Sequence, residues 1–527
     1  MPGSWRRRPW RRVLARSMQF CLKYRKRVPG EAAEMKPVTL GLSVFALSLA
    51  GFAAHAETAC ADLMKTPLPH AQVTKAVSEA VGDKQVCKVD VTSKPTADSD
   101  IRLSLWIPEG AAWNGKFVQL GNGGFAGQIP VAQFGRVVRA GYAVSGTDDG
   151  HQSKVITAAD WALGHPEKIT DFGWRAVKET TDISKALIKA QKGGGPQKSY
   201  FNGCSDGGRE ALMSAQRFPN DFDGIVAGAP AAYMSQLFGI SAVQQQAMTK
   251  PGGYLGAPQR DLLQKASIAQ CSPGEPFIRD PAACHFDPGK LACKPGQTDE
   301  CLTPAQVVSA KAMYTGRTDA KGNVLFPGFS PGAEGLNGGW NAWLTGPTDD
   351  LRPHAMGFAF SSDAFKYFAF QDPNFDFLKM DMGAQYATAQ KKMAEEVDAP
   401  NPNLTAFEKR GGKLIQYHGW NDPAIPPRSS IRYYEDVRKT MGNTDSFYRM
   451  YLIPGMLHCA GGVGPSNVDW LAELDSWVTA GKAPGEVVAQ GGAGQSPGGP
   501  PSQVLCPYPA VARKAGEAYA CAAPKKG

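Results

Sequence analysis

Ser205 stands in the run Gly203-Cys204-Ser205-Asp206-Gly207, with a glycine two residues to either side. A serine hydroxyl becomes a useful nucleophile when a base takes its proton, a carboxylate orients that base, and amide donors receive the charge on the attacked carbonyl oxygen. The G-x-S-x-G spacing meets the first geometric demand. Its glycines permit a sharp strand-to-helix turn that holds the hydroxyl out and places the next amide at a helix N-terminus. The partners are expected in the chain order Ser, Asp, His, each on a loop that follows a strand. Asp422 in Gly419-Trp420-Asn421-Asp422-Pro423 and His458 in Pro454-Gly455-Met456-Leu457-His458-Cys459 satisfy both conditions. The Asp206 amide is the first expected oxyanion donor. The second is expected at Gly124 in the run Gly121-Asn122-Gly123-Gly124-Phe125-Ala126-Gly127. A phosphate-binding use of that run would need a following G-K-[ST], which is missing, as is the dinucleotide fingerprint.

Other residues compete for these roles. His151 follows a strand-like run but precedes the serine, so it is expected to brace the site rather than act in it, and His418 reads as a pocket residue beside Asp422. Asp149, Asp445 and Asp469 are rivals to Asp422, but none combines the strand-end context with the right order. Cys204 precedes the serine and Cys459 follows the histidine. A disulfide between them would restrict relative motion of the two loops, as proton transfer over about 3 Å requires. The alternative is a pair of buried thiols.

These loops need a scaffold. Ile101 to Ile107, Phe117 to Leu120 and Tyr142 to Ser145 are strand-like runs bounded by Gly, Pro and Asn. Val177, Ile183, Leu187 and Ala190 share a helical face. Ser199-Tyr200-Phe201 runs as a strand into the serine elbow, Arg209 to Phe218 leaves it as a helix, and Gly224 to Gly228 is a buried strand. After Pro402 the alternation resumes, with a strand at Lys413 to Tyr417, a helix at Ser429 to Met441 and a strand at Phe447 to Ile453. Strands alternating with helices predict an α/β fold with a mostly parallel sheet covered on both faces. Between Ala231 and Pro402 the periodicity fails in a loop-rich block with four cysteines and many aromatics.

The 527 residues exceed one ordinary domain but suit an enzyme core with one large insertion. With 43% hydrophobic and 20% charged residues the composition is globular. Val38 to Ala54 is an apolar run followed by Ala54-His55-Ala56, which predicts a secretory signal cleaved before Glu57 and no membrane anchor afterwards. Met35 offers an alternative start. Residues 1–56 hold eleven basic residues against Glu31 and Glu34, which accounts for the chain's net charge of +9. The rest is near neutral, so nothing favours a nucleic-acid partner. Cys21 leaves with the leader, and ten cysteines remain, an even number that suits disulfides in a secreted or periplasmic protein. Zinc is the rival, but no C-x-x-C or H-x-x-x-H spacing occurs.

Cys204-Ser205-Asp206 with His458-Cys459 resembles the tannase/feruloyl esterase family, which also includes enzymes that cleave mono(2-hydroxyethyl) terephthalate. Similar too are Trp113-Asn114-Gly115-Lys116-Phe117, the Gly121 to Gly127 run, Asp171-Phe172-Gly173, Phe370-Gln371-Asp372-Pro373-Asn374, Tyr417-His418-Gly419-Trp420 and Cys506-Pro507-Tyr508-Pro509. The resemblance implies an α/β-hydrolase catalytic domain over 57–230 and 403–527, with a lid domain over 231–402. It implies Ser205, Asp422 and His458 as the triad and Cys204–Cys459 as a bridge. The other implied bridges are Cys60–Cys87, Cys271–Cys284, Cys293–Cys301 and Cys506–Cys521. Lids of this family bind calcium in an aspartate-rich loop between two cysteines, whereas the matching loop, Ser272 to Pro281, keeps only Glu275 and Asp280 as acids. No cofactor is therefore expected. The implied substrate is a small aromatic ester: feruloyl-type and related phenolic esters first, galloyl esters next, terephthalate half-esters third. A serine peptidase and a non-catalytic binding module are the alternatives.

Overall fold

The computed structural model describes residues 57–524 except 493 and 517. The leader and its cleavage site lie outside the described residues. Eleven strands precede the C-terminal tail: β1 (Ala71–Val81), β2 (Lys84–Ser93), β3 (Ile101–Pro108), β4 (Lys116–Leu120), β5 (Ala143–Thr147), β6 (Lys198–Cys204), β7 (Gly224–Gly228), the short hairpin β8 (Gly316–Thr318) and β9 (Val324–Pro327), then β10 (Lys413–Gly419) and β11 (Tyr448–Ile453). Nine of them form one sheet in the order β1-β2-β3-β5-β4-β6-β7-β10-β11. From β5 to β11 the neighbours run parallel, and β1, β2 and β3 extend the sheet antiparallel at one edge. This is an α/β-hydrolase core with a large, mostly parallel sheet.

The central strands are buried on both faces, and alternate residues feed opposite cores, as a period of two demands. Val118, Val144, Tyr200, Val226, Ile415 and Tyr451 point into one cluster, which the helices Phe134–Arg139 and Trp470–Ala480 cover. Phe117, Phe201, Ile225, Ala227, Leu414 and Met450 point into the other, against the helices Ala176–Lys192, Asp206–Arg217 and Pro427–Met441. Val177, Ile183 and Leu187 lie on the buried face of the first of these helices.

Two regions depart from the sequence expectation. β1 and β2 lie upstream of the first expected strand. Only Val73 and Ala76 of β1 are buried, and a register shift between Val73 and Lys75 breaks the alternation that would have revealed it. The block after Ala231 is not mainly loop. It contains the helices Met234–Thr249, Ala257–Cys271, Pro304–Thr315, Met356–Asp363 and Ala384–Val397. The helix Met234–Thr249 buries residues around its circumference, Met234, Phe238, Ile240, Ala242 and Gln244 among them, so no single apolar stripe marks it. After β11 the chain forms two further antiparallel hairpins, Val487–Gln490 with Ser502–Leu505 and Val511–Ala515 with Ala518–Ala522.

The helix Asp206–Arg217 lies against β6 and β7 at backbone distance. A Cβ on Gly208 would stand 2.8 Å from Pro230 Cα and closer still to the Gly228 carbonyl oxygen, two backbone atoms that cannot swing aside. Inside an unconstrained helix a glycine-to-alanine change gains up to about 1 kcal/mol. Here Gly208→Ala is expected to have the opposite sign, lowering stability by about 1–3 kcal/mol through overpacking, as urea denaturation would measure.

Candidate active site

β6 delivers the chain to Ser205, which adopts φ 67° and ψ −121° and caps the helix Asp206–Arg217. A left-handed serine costs roughly 1–3 kcal/mol and persists only where its surroundings enforce it. The Ser205 amide donates to Gly228 O at 3.0 Å, and the Ser205 carbonyl accepts from Arg209 N and Ala231 N, each at 3.1 Å. Gly203 has no room for a side chain, since its Cβ would lie 2.8 Å from Gly207 Cα.

β10 and β11 end beside this elbow and deliver the other two groups. Ser205 Oγ lies 2.8 Å from His458 Nε2, and His458 Nδ1 lies 2.7 Å from Asp422 Oδ2. Asp422 is buried. Its Oδ1 accepts from the amides of Ala424 at 2.8 Å and Ile425 at 2.9 Å. With Nδ1 facing a carboxylate, His458 carries its proton there and leaves Nε2 to accept from the serine. Burial alone would raise the Asp422 carboxyl. The charge of His458 and hydrogen bonds from His418 and His458 reverse this and hold it well below the usual carboxylate range.

The structure thus brings Ser205, Asp422 and His458 into one continuous chain of hydrogen bonds. It can polarise a hydroxyl towards an electrophilic carbonyl and take up its proton. It gives His418 a different place from the pocket position expected: it is fully buried beneath Asp422. Its Nε2 lies 3.1 Å from Asp422 Oδ2 and 3.0 Å from Ile425 O, while Nδ1 lies 2.8 Å from Ser430 Oγ. Two acceptors face Nε2, so that nitrogen bears the hydrogen and Nδ1 accepts from the serine. Only the i, i+4 spacing of His418 and Asp422 hinted at this. His151 stacks on Trp161 at 3.8 Å, and neither ring nitrogen has a hydrogen-bond partner among the described residues. Burial pushes it down to about 4. Asp445 pairs with Arg438 and Arg449, Asp469 caps the helix Trp470–Ala480, and Asp149 is buried behind the elbow.

The Gly121 to Gly127 run passes directly over the elbow. Asn122 O accepts from Gly207 N at 2.8 Å, fixing the run to the first turn of the helix. Among the described residues no acceptor lies against the amides of Asp206, Gly123 or Gly124, and Gly124 has φ 61°. Ser205 and His458 open on a cavity of about 850 Å³, lined in part by Phe125, Leu237, Phe238, Trp343, Phe360 and Ile425. The Trp343 ring meets His458 edge-on at 5.0 Å.

Cys204 is bonded to Cys459, so the residue before Ser205 and the residue after His458 are covalently joined across a separation of 255 residues. Cys60–Cys87, Cys271–Cys284, Cys293–Cys301 and Cys506–Cys521 are also formed. Five disulfides fit an oxidising compartment. Among the described residues no helix is long and apolar enough to cross a membrane. In the loop closed by Cys271–Cys284, Glu275 accepts from Arg279 Nε and Nη2, and Asp280 lies 3.4 Å from Arg513.

The sheet order and the strand-end loops define an α/β-hydrolase. Within that class the chain belongs to the tannase and feruloyl esterase family, whose profile matches residues 85–525, and it is a carboxylic ester hydrolase. An uncharacterised esterase of Xanthomonas campestris pv. campestris is 34% identical over 89% of this chain and 92% of its own length. Mono(2-hydroxyethyl) terephthalate hydrolase of Piscinibacter sakaiensis is 31% identical over 81% and 82%. The crystal structure of feruloyl esterase B from Aspergillus oryzae superposes with a TM-score of 0.78 at 26% identity, covering 88% of this chain and 99% of that one.

If the Cys204–Cys459 bridge holds the two loops in register, a Cys204→Ala/Cys459→Ala variant will remain folded through the other four bridges but lose activity. A fall in kcat of about tenfold or more is expected, with a lowered Tm, from ester hydrolysis and thermal unfolding measured together.

Proposed function

We propose that the protein is an exported serine esterase that hydrolyses aromatic carboxylic esters through Ser205, His458 and Asp422. The observation that carries this is the unbroken Ser205–His458–Asp422 chain opening into an aromatic-walled cavity. His458 Nε2 takes the serine proton as Oγ attacks the ester carbonyl, and the amides of Asp206 and Gly124 receive the oxyanion. The imidazolium returns the proton to the leaving alcohol, leaving an acyl-serine. A water then gives a proton to His458 as it attacks the acyl carbon, and as that adduct collapses the bond to Ser205 Oγ breaks, the serine takes the proton back from His458 and the acid is released. Asp422 keeps Nδ1 protonated and stabilises the imidazolium, and His418 orients Asp422.

Residues 231–402 serve as a lid, since Phe238, Trp343 and Phe360 from this block form part of the wall of the cavity on which Ser205 opens. That wall suits a flat ring, which supports phenolic acyl groups of feruloyl type ahead of galloyl ones. A terephthalate half-ester is the second reading, favoured by Arg136. It is the only Lys or Arg among the described cavity-lining residues and is exposed, so it is available to a substrate carboxylate. The five bridges support export, with residues 1–56 as leader and Glu57 as the mature start.

A calcium site of the kind found in related lids does not fit this chain. A hard cation takes about six to eight oxygens. The two acids of the matching loop instead face Arg279 and Arg513. Metal analysis of the purified protein is expected to find less than stoichiometric calcium, and chelation to leave activity and Tm unchanged.

Ser205→Ala is expected to abolish hydrolysis of methyl ferulate, and Asp422→Asn to lower kcat by about 10⁴ through the wrong imidazole tautomer. Comparing methyl ferulate, methyl gallate and a terephthalate half-ester by kcat/KM ranks the acyl groups. A ranking led by the half-ester, and lost in Arg136→Ala, would replace the first reading by the second.

A further inference from the structure

Behind the elbow lies a set of charged groups that ester hydrolysis does not itself require. Asp206, Arg209 and Glu210 project from the first turns of the helix, and Asp149 faces them from the loop after β5. All four are buried. The nearest carboxyl oxygens of Asp149, Asp206 and Glu210 lie within 4.8 Å of one another. Among the described residues Arg209 is the one cation of this set. Its Nε pairs with Asp206 Oδ1, and its remaining nitrogens donate to Gly173 O at 2.7 Å and Phe172 O at 3.1 Å. That accounts for Asp206 and leaves two carboxyls without a counter-ion.

Glu210 is where this set meets the candidate oxyanion loop. Its Oε2 accepts from Asn122 N at 3.0 Å. The Asn122 carbonyl accepts from Gly207 N, and Asn122 Nδ2 donates to Thr147 O at 2.6 Å. The residue just before Gly123-Gly124 is therefore tied at three points, of which only one is a titratable side chain. Gly121 packs against the same carboxylate, since a Cβ there would lie 2.7 Å from Glu210 Oε2. Among the described residues, Glu210 Oε1 and both oxygens of Asp149 meet no N–H or O–H donor.

We infer that Asp149 and Glu210 share one proton, and that the resulting carboxyl pair makes Glu210 a positioning residue that holds the glycine loop in register with Ser205. Two like charges at this separation cannot both be ionised away from water, and one proton between them gives an O–H···O bond to oxygens that otherwise have no donor. Burial, reinforced by the charge of Asp206, pushes Glu210 up to about 7. Burial and then the Glu210 charge push Asp149 well above its ordinary value. Of the other groups beside the pair, Asp148 turns to Gln152 and the Arg102 amide, and His151 is kept neutral by burial. A divalent cation is the rival occupant, but Asp206 is committed to Arg209 and too few oxygens remain for a hard ion.

This rests on the Ser205 mechanism proposed above. A carboxyl whose folded pKa exceeds its unfolded value stabilises fully below the unfolded pKa, near the ordinary glutamate value of 4.5, and that contribution is lost as pH rises through the folded value of about 7. Glu210→Gln keeps an oxygen for Asn122 and replaces the shared proton with an N–H donor to Asp149. It is expected to hold kcat within about threefold and to lessen, relative to wild type, the fall in Tm between about pH 5 and pH 8, to which the buried Asp148, Asp171, Glu334 and Asp398 also contribute. Glu210→Ala removes the tie and is expected to lower kcat by about 10–100-fold with little change in KM. Should the alanine variant fail to fold, Asp149→Asn is expected to match the glutamine variant in both readouts. Glutamine as damaging as alanine, a Tm profile unchanged from wild type, or a stoichiometric divalent cation lost in Glu210→Gln would each overturn the inference. Activity surviving in Ser205→Ala would instead overturn the mechanism while leaving the Tm profiles intact.

Discussion

Backbone-to-backbone contact around the first turn of the helix Asp206–Arg217 is the constraint on which the rest depends. Gly203, Gly207 and Gly208 each lie where a Cβ would meet main-chain atoms, and Gly121 sits against Gly207 from the other side. Removing the side chains lets the helix N-terminus, the end of β6 and the glycine loop meet in a space that no larger residue could share. The same contact forces Ser205 to φ 67° and turns its hydroxyl out of the sheet. Strain at one residue is thus maintained by packing at four others, and among the described residues no acceptor lies against the amides of Asp206, Gly123 or Gly124.

Three histidines near this point show how the surroundings, rather than residue type, assign a role. His458 has a carboxylate on one nitrogen and a hydroxyl on the other, with partial access to the cavity. His418 touches the same carboxylate but is sealed off, and its ring is committed to Ser430 and the Ile425 carbonyl. It can fix Asp422 in place but cannot reach a substrate. His151 has neither a carboxylate nor a hydroxyl partner among the described residues, and it stacks on Trp161. One carboxylate shared by two imidazoles also explains why Asp422 stays ionised where burial alone would neutralise it.

Much of this was legible in the sequence because it rests on local rules. The elbow needs glycines at fixed offsets, each partner follows a strand, and the buried central strands are continuous apolar runs. What escaped depends on contacts that local patterns do not encode. β1 hides behind a bulge and a charged exposed face. The helix Met234–Thr249 is enclosed on several sides and so lacks a stripe. The place of His418 follows from the turn at Pro423 to Ile425, which brings a backbone carbonyl to its Nε2. The charges of Asp149, Asp206 and Glu210 look like ordinary solvated acids until the fold removes the solvent.

The chain separations at the site bear on why it is held by more than hydrogen bonds. The separation of 253 residues from Ser205 to His458 must be closed into a contact near 3 Å, and two hydrogen bonds worth about 1 kcal/mol each do not offset that ordering entropy. The parallel pairing of β6, β7, β10 and β11 meets most of the cost, because register in a buried sheet fixes where each strand ends. It does not fix the loops beyond those ends. Cys204–Cys459 acts on that residual freedom, joining the loops one residue from Ser205 and one residue from His458. On a chain-entropy account a bridge across so long a span removes roughly 5 kcal/mol of disorder from the unfolded chain, more than the hydrogen bonds it protects. The sheet therefore sets the site to within a loop's reach, and the disulfide narrows it to the distance over which a proton moves.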